Sequence, residues 1–232
     1  MRRLILTTGK FYHVYNRGVE KRDIFIDDKD YLRFIHDLYE FNDQDAVLNL
    51  NFRFNSNYGV PTSIVVAEKK KRKLLVEILC FCLMPNHFHL ILKQRVANGI
   101  SLFMQKLGGY VYYFNLKYKR VGPLFQGKFK ALEIDNENYL LHLSRYQHLN
   151  SVELIEPGWK EEGIENWKKV KKFLESYRWS SYLDYIGVKN FPSIISQELI
   201  NSYFKKSKEY KDFVIEFLPK NIDQIKDIII EK

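Results

Sequence analysis

The chain has 232 residues, 46% of them hydrophobic, with 17 Phe and 16 Tyr, a formal net charge of +9 and a sequence pI near 9.3. That length suits one large domain, or a main domain with an extension. No apolar stretch approaches the roughly 20 residues of a membrane span, and Leu4-Ile5-Leu6 is too short for a secretion signal. The expected location is therefore the cytoplasm, and the expected partner is a polyanion, nucleic acid ahead of an anionic membrane.

Phe11-Tyr12-His13-Val14-Tyr15 is aromatic and β-branched apart from its histidine and predicts a first strand, ended by Arg17-Gly18. Asp27-Asp28 then open a helix in which Tyr31, Phe34, Ile35, Leu38 and Phe41 recur at spacings of three and four. From 42 to 73 the periodicity is lost. Asn49, Asn51, Asn55 and Asn57, with Gly59 and Pro61, read as an irregular insertion carrying at most a short strand, and Lys69 to Lys73 as a solvated basic turn. Leu74 to Met84, a turn at Pro85-Asn86 and His87 to Leu92 predict a hairpin that is apolar on both faces. Cys80 and Cys82 point the same way on its first strand. They are poorly placed for a mutual disulfide and read as buried thiols in a reducing compartment.

Ser101 can cap a helix whose stripe is Phe103, Leu107, Tyr110 and Phe114. Beyond it, Lys117, Lys119, Arg120, Lys128 and Lys130 surround the loop Val121–Gly127, with Phe125 and Phe129 interleaved. Cations beside aromatic rings suit a single strand, whose phosphates need charge and whose bases need a stacking surface. A short strand at 131–134 leads to a helix capped by Asp135 or Asn136, with Tyr139, Leu143, Tyr146 and Asn150 on one stripe. After Pro157-Gly158 the chain predicts a charged helix at 165–177, an aromatic segment at 179–185, and helical patterns at 197–217 and 222–230.

His87 and His89, two apart on a strand, share a face, while Phe88 and Leu90 turn into a core. Two imidazoles on a stiff strand are half of a metal site. Tyr146 and Asn150 lie one helical turn apart. If their helix covers the histidine strand, His87, His89 and Asn150 can share a divalent ion, and Tyr146 can face a phosphate on that ion. A nucleophile with a Lewis acid is the minimum for covalent phosphodiester cleavage. Arg145 and Lys128 would hold flanking phosphates. His13, His142 and His148 read as surface or hydrogen-bonded histidines, and Trp179-Ser180-Ser181-Tyr182 as packing.

These segments resemble a known family. Phe11 to Gly18, Cys82-Leu83-Met84-Pro85-Asn86-His87-Phe88-His89-Leu90-Ile91, Gly122 to Lys130, Tyr139 to Asn150 and Trp179-Ser180-Ser181-Tyr182 occur in the order found in HUH single-tyrosine transposases of the REP-associated (IS200-like) branch. The resemblance runs from about residue 9 to 185. It implies a ferredoxin-like (RRM-like) α+β fold with an antiparallel sheet, helices packed against it and a C-terminal helical extension. It implies Tyr146 as nucleophile, His87, His89 and Asn150 as ligands of Mg²⁺ or Mn²⁺, and single-stranded DNA near hairpins as substrate. Attack would leave a 5′-phosphotyrosine and a free 3′-hydroxyl. Arg17, Lys119, Arg120, Gln126, Lys128, Lys130 and Arg145 are the expected DNA contacts. The chain departs from the pattern at Ser151-Val152-Glu153, where Pro-Val and a basic residue are usual, and at Lys128, where arginine is usual and bidentate phosphate binding is lost.

The expected organisation is a catalytic domain over 1–157 and an extension over 158–232, of which 158–185 packs on the domain. The expected state is monomer or homodimer. The rival reading is a non-catalytic RRM-like protein that binds single-stranded nucleic acid with inert histidines. A structural zinc site built from His87, His89, Cys80 and Cys82 is disfavoured, because the strands scatter those groups.

Overall fold

The computed structural model describes residues 5–46, 54–55, 60–61 and 72–216. In chain order the strands are β1 (Phe11–Arg17), β2 (Phe54–Asn55), β3 (Val60–Pro61), β4 (Val76–Met84), β5 (His87–Gln94) and β6 (Lys130–Ile134). Four of them form an antiparallel sheet in the order β4-β5-β1-β6, and β2 pairs only with β3, within the insertion. The rest of the insertion, the basic run from Lys69 to Lys71 included, lies outside the described residues, as do the 222–230 pattern and the end of the 197–217 pattern.

Helix α1 (Asp28–Glu40) connects β1 to β4, and α2 (Gly99–Leu107) with α3 (Gly109–Lys117) connects β5 to β6. The resulting β-α-β-β-α-β order, with β1 and β5 central, is the ferredoxin-like arrangement expected from the sequence. Asp27 caps α1 through a reciprocal box with Asp30, which satisfies backbone donors that a helix start would otherwise leave bare. The α1 stripe packs on the sheet: Phe34 lies 5.0 Å from Phe88, ring to ring. Burying each such side chain contributes roughly 1.5–3 kcal/mol.

The expected Ser101 cap is corrected. The helix begins two residues earlier at Gly99, after Asn98 in a left-handed conformation, and then breaks at Gly108 into α2 and α3. The stripe itself holds, with Phe103, Leu107, Tyr110 and Phe114 all buried.

The other sheet face carries α4 (Glu137–Leu149), capped by Asn136 and continued by a 3₁₀ turn over Asn150–Leu154. Short helices follow: α5 (Trp159–Glu162), α6 (Trp167–Leu174), α7 (Tyr182–Tyr185), α8 (Glu198–Asn201) and α9 (Ser207–Ile215). The single helical pattern predicted over 197–217 is therefore two helices, interrupted at 202–206. The outer edge of β4 is closed by Trp179–Ser181, where Leu83 N–H donates to the Trp179 carbonyl (2.9 Å) and Ser181 N–H to that of Phe81 (3.0 Å). Trp179 also stacks on Tyr31 at 4.6 Å, the packing role expected for this segment. One hydrophobic cluster runs from Tyr12 to Val214, so side chains beyond Gly158 share the core of the sheet. Among the described residues no helix is long and apolar enough to cross a membrane.

Candidate functional site

The hairpin forms as expected, and its register places Cys82 beside His89 and Met84 beside His87. On the neighbouring strand Tyr15 pairs with His89 and Arg17 with His87. Strand alternation then gathers His13, Tyr15, Arg17, His87 and His89 on one face. The His87 and His89 rings meet edge to face with centroids 4.9 Å apart. His13, expected as a surface or hydrogen-bonded histidine, is the latter. It is buried, stacks on His89, and its Nε2 lies 2.9 Å from His89 Nδ1. The alternation of His13, Tyr15 and Arg17 along β1 was the signal that would have placed it here.

Both candidate ligands use Nδ1 within the protein: His87 Nδ1 contacts Asn86 Oδ1 at 2.6 Å, and His89 Nδ1 contacts His13. Such outer contacts orient a ring and direct Nε2 toward an ion. Burial, followed by the charges of Arg17 and Lys160, pushes the His87 pKa down to about 3. Burial likewise holds His89 well below the ordinary range, so both rings are neutral, the form that ligates metals.

Helix α4 covers this strand, as the sequence predicted. Gln147 Nε2 donates to the carbonyl of His89 at 2.9 Å, tying the tyrosine helix to the histidine strand. Asn150 sits at the end of α4, 1% exposed, and neither of its amide atoms has a partner among the described residues. A buried amide without partners is costly, which fits a side chain that completes its bonding with a ligand. Two neutral imidazoles joined by an amide oxygen would be a donor set suited to a divalent ion with open positions. Among the described residues, no group of three or more His, Cys, Asp and Glu side chains is arranged to hold a metal ion. Arg17 and Lys160 oppose a bare cation here and favour one that arrives with a phosphate.

Tyr146 is 2% exposed. Its ring centroid lies 6.2 Å from that of Trp159, and the Lys160 ammonium is 5.7 Å from the ring. Burial, with Glu153 and Glu161 nearby, raises its pKa above the ordinary phenol value. Trp159 and Lys160, which close over the nucleophile candidate from α5, were missed by sequence reasoning. Burial lowers the Lys160 pKa to about 8 against the opposing carboxylates of Glu153 and Glu161. A four-residue helix after Pro-Gly has no periodicity to announce it. On α3 the Tyr110 hydroxyl donates to the Ile24 carbonyl and that of Tyr113 to Asp30, while Tyr112 is exposed.

A pocket of ≈ 150 Å³ opens beside the histidines, lined by Tyr15, Asn16, Arg17, Lys21, His87, His89, Gln126, Gly127, Lys128 and Lys130. Four of the expected DNA contacts are thus brought together: Arg17, Gln126, Lys128 and Lys130. Lys21 joins them from a turn that nothing in the sequence marked. The loop is held in place by Gln126 N–H donating to the Arg17 carbonyl (2.9 Å) and Asn16 Nδ2 to that of Gly127 (3.0 Å).

Three expected contacts are not among the lining residues. Lys119 is exposed beyond the pocket. Arg120 bonds Asn115 Oδ1 and the Pro123 carbonyl, bracing the end of α3. Arg145 is 4% exposed, contacts His142 Nδ1 at 2.6 Å and packs over the Phe213 ring at 4.5 Å.

No family model matches the chain, and no curated protein matches it. Among solved structures it is similar to a REP-associated tyrosine transposase bound to a REP hairpin. Identity is 13% and the TM-score 0.50, over 84% of this chain and 90% of that one. At that identity the likeness establishes the fold.

Proposed function

We propose that this chain is a metal-dependent single-stranded DNA endonuclease and strand transferase of the HUH tyrosine type, acting near hairpin-forming sequences. The observation that carries this reading is the docking of the Tyr146–Asn150 helix on the His87–His89 strand through Gln147, beside a pocket lined by four cations. In this reading residues 1–157 carry the chemistry and 158–232 form an extension, of which 158–185 packs on the catalytic domain. His87, His89 and Asn150 would hold Mg²⁺ or Mn²⁺, which supplies Lewis-acid polarisation of the scissile phosphate. Arg17, Lys21, Lys128 and Lys130 bind the strand's phosphates. The Tyr146 phenol oxygen attacks phosphorus, the phosphorus–O3′ bond breaks, and the phenol proton leaves to the 3′ oxygen. A 5′-phosphotyrosine and a 3′-hydroxyl result. Because Tyr146 is buried under Trp159, α5 must swing aside for a phosphate to reach it.

That burial also favours a second reading, a single-stranded nucleic-acid-binding protein in which Tyr146 is a core residue. The two separate on one experiment. The protein is incubated with hairpin-bearing single-stranded DNA and Mn²⁺, and covalent adduct is resolved on a denaturing gel. Our reading expects an adduct from the native chain and none from Tyr146→Phe. Binding without adduct under all conditions, or adduct that survives in Tyr146→Phe, overturns it.

A further inference from the structure

A second pocket, of ≈ 380 Å³, adjoins the cationic one on the other side of the 124–129 loop. Its walls are apolar: Phe34 and Phe88 from the core, Met104 and Leu107 from α2, and Phe125 and Phe129 from the loop. The two pockets share Asn16, Gly127 and Lys128. Gly127 forms bare backbone on the divide. Its φ of +153° is one that side-chain-bearing residues rarely adopt, and nothing lies within 4 Å of where a Cβ would be. A chain can therefore pass over the divide without meeting a side chain at that point.

Resting on the reading above, we propose that the apolar pocket takes one unpaired nucleobase of the strand whose phosphates occupy the cationic pocket. The volume falls within the range of small-ligand sites, and the half-buried rings of Phe125 and Phe129, over the buried Phe34 and Phe88, offer faces and edges to a flat ring. The charge division fits a nucleotide, since phosphate and base need opposite surroundings and lie next to each other in the polymer. Lys128, on both walls, can pair with the phosphate linking the two. Asn16 supplies the polar edge of the apolar pocket, although its amide nitrogen already donates to Gly127.

The test is an abasic scan. Short mixed-sequence single-stranded DNA oligonucleotides, each lacking the base at one position, are titrated against the full chain by fluorescence anisotropy in the presence of Mg²⁺. One position is expected to weaken binding about ten- to a hundredfold, the others much less. Gln105→Trp, at an exposed position on the pocket wall, fills the pocket and should erase the difference between intact and abasic strands at that position. Circular dichroism checks that the variant is folded. Equal losses at every position, or a difference that persists in Gln105→Trp, overturns the proposal. Base-dependent binding without covalent adduct would leave the pocket standing and sink strand transfer. Absence of any single-strand binding would sink both.

Discussion

Two cationic regions of the molecule use the same residue type in opposite ways. At one, the Lys117 ammonium bonds Asp27 and Asp30 at 2.7 Å each, and Asp30, fully buried, also accepts from Tyr113 and Tyr118. Burial alone would lower the Lys117 pKa, but the bonds to Asp27, Asp30 and Tyr118 outweigh it and raise it above the ordinary lysine value. At the other, Arg17, Lys21, Lys128 and Lys130 surround a pocket whose lining includes no carboxylate. The first region is a charge balanced within the fold. The second is a charge with no carboxylate among the residues that line it. A basic residue announces affinity for a polyanion only when no acid from elsewhere in the chain has claimed it.

The sharpest way to test the contrast is to remove the claimed lysine. Lys117→Met should cost about 3 kcal/mol in a denaturant titration, because it leaves the buried Asp30 carboxylate without its cation. The cost stays at the low end because two tyrosine hydroxyls still bond that carboxylate. The next largest effect is expected at the open region. If strand phosphates bring the charge that makes a cation welcome beside Arg17 and Lys160, single-stranded DNA should tighten Mn²⁺ binding by about five- to a hundredfold, with the reciprocal effect on DNA affinity. Isothermal titration with and without oligonucleotide measures this, and equal affinities would break the link between pocket and ion.

Lys128→Ala with Lys130→Ala should leave stability within about 0.5 kcal/mol yet reduce the salt dependence of DNA binding. The slope of log affinity against log salt should fall by about 0.7 per lysine. Asp27→Ala should cost about 1 kcal/mol through loss of the α1 cap, with DNA affinity unchanged. Smallest of all, Lys119→Ala should alter stability by less than about 0.5 kcal/mol and leave binding as it was, since its charge lies outside both regions.

The same contrast explains what could be read from the chain. The β4–β5 hairpin, its Pro85-Asn86 turn, the α1 stripe and the face shared by His87 and His89 follow from local periodicity, and the structure reproduces them. The packing of α4 over β5 was the condition on which the site reading depended, and the bond from Gln147 to the His89 carbonyl meets it. What the sequence did not show was non-local. Lys117 and Arg120 sit in a basic stretch, but the acids that hold Lys117 come from near Asp27, far back in the chain. Arg145 adjoins Tyr146 in sequence, yet successive helical residues point about 100° apart, and that turn sends it into the C-terminal helices beside Phe213. Trp159 and Lys160 reach the site because a glycine, Gly158, takes φ +82° and folds α5 back, a geometry with no sequence period.

The closed edge of β4 bears on how such molecules could stack. Exposed strand edges invite pairing with other chains. With Trp179–Ser181 bonded along one side of the four-stranded sheet, β6, five residues long and carrying Lys130 and Glu133, is the edge strand with no further strand beside it among the described residues. A sheet with a single usable border can join one neighbour through a twofold axis and then has nothing further to offer. Edge pairing through the described part of this sheet would therefore join two copies and stop there.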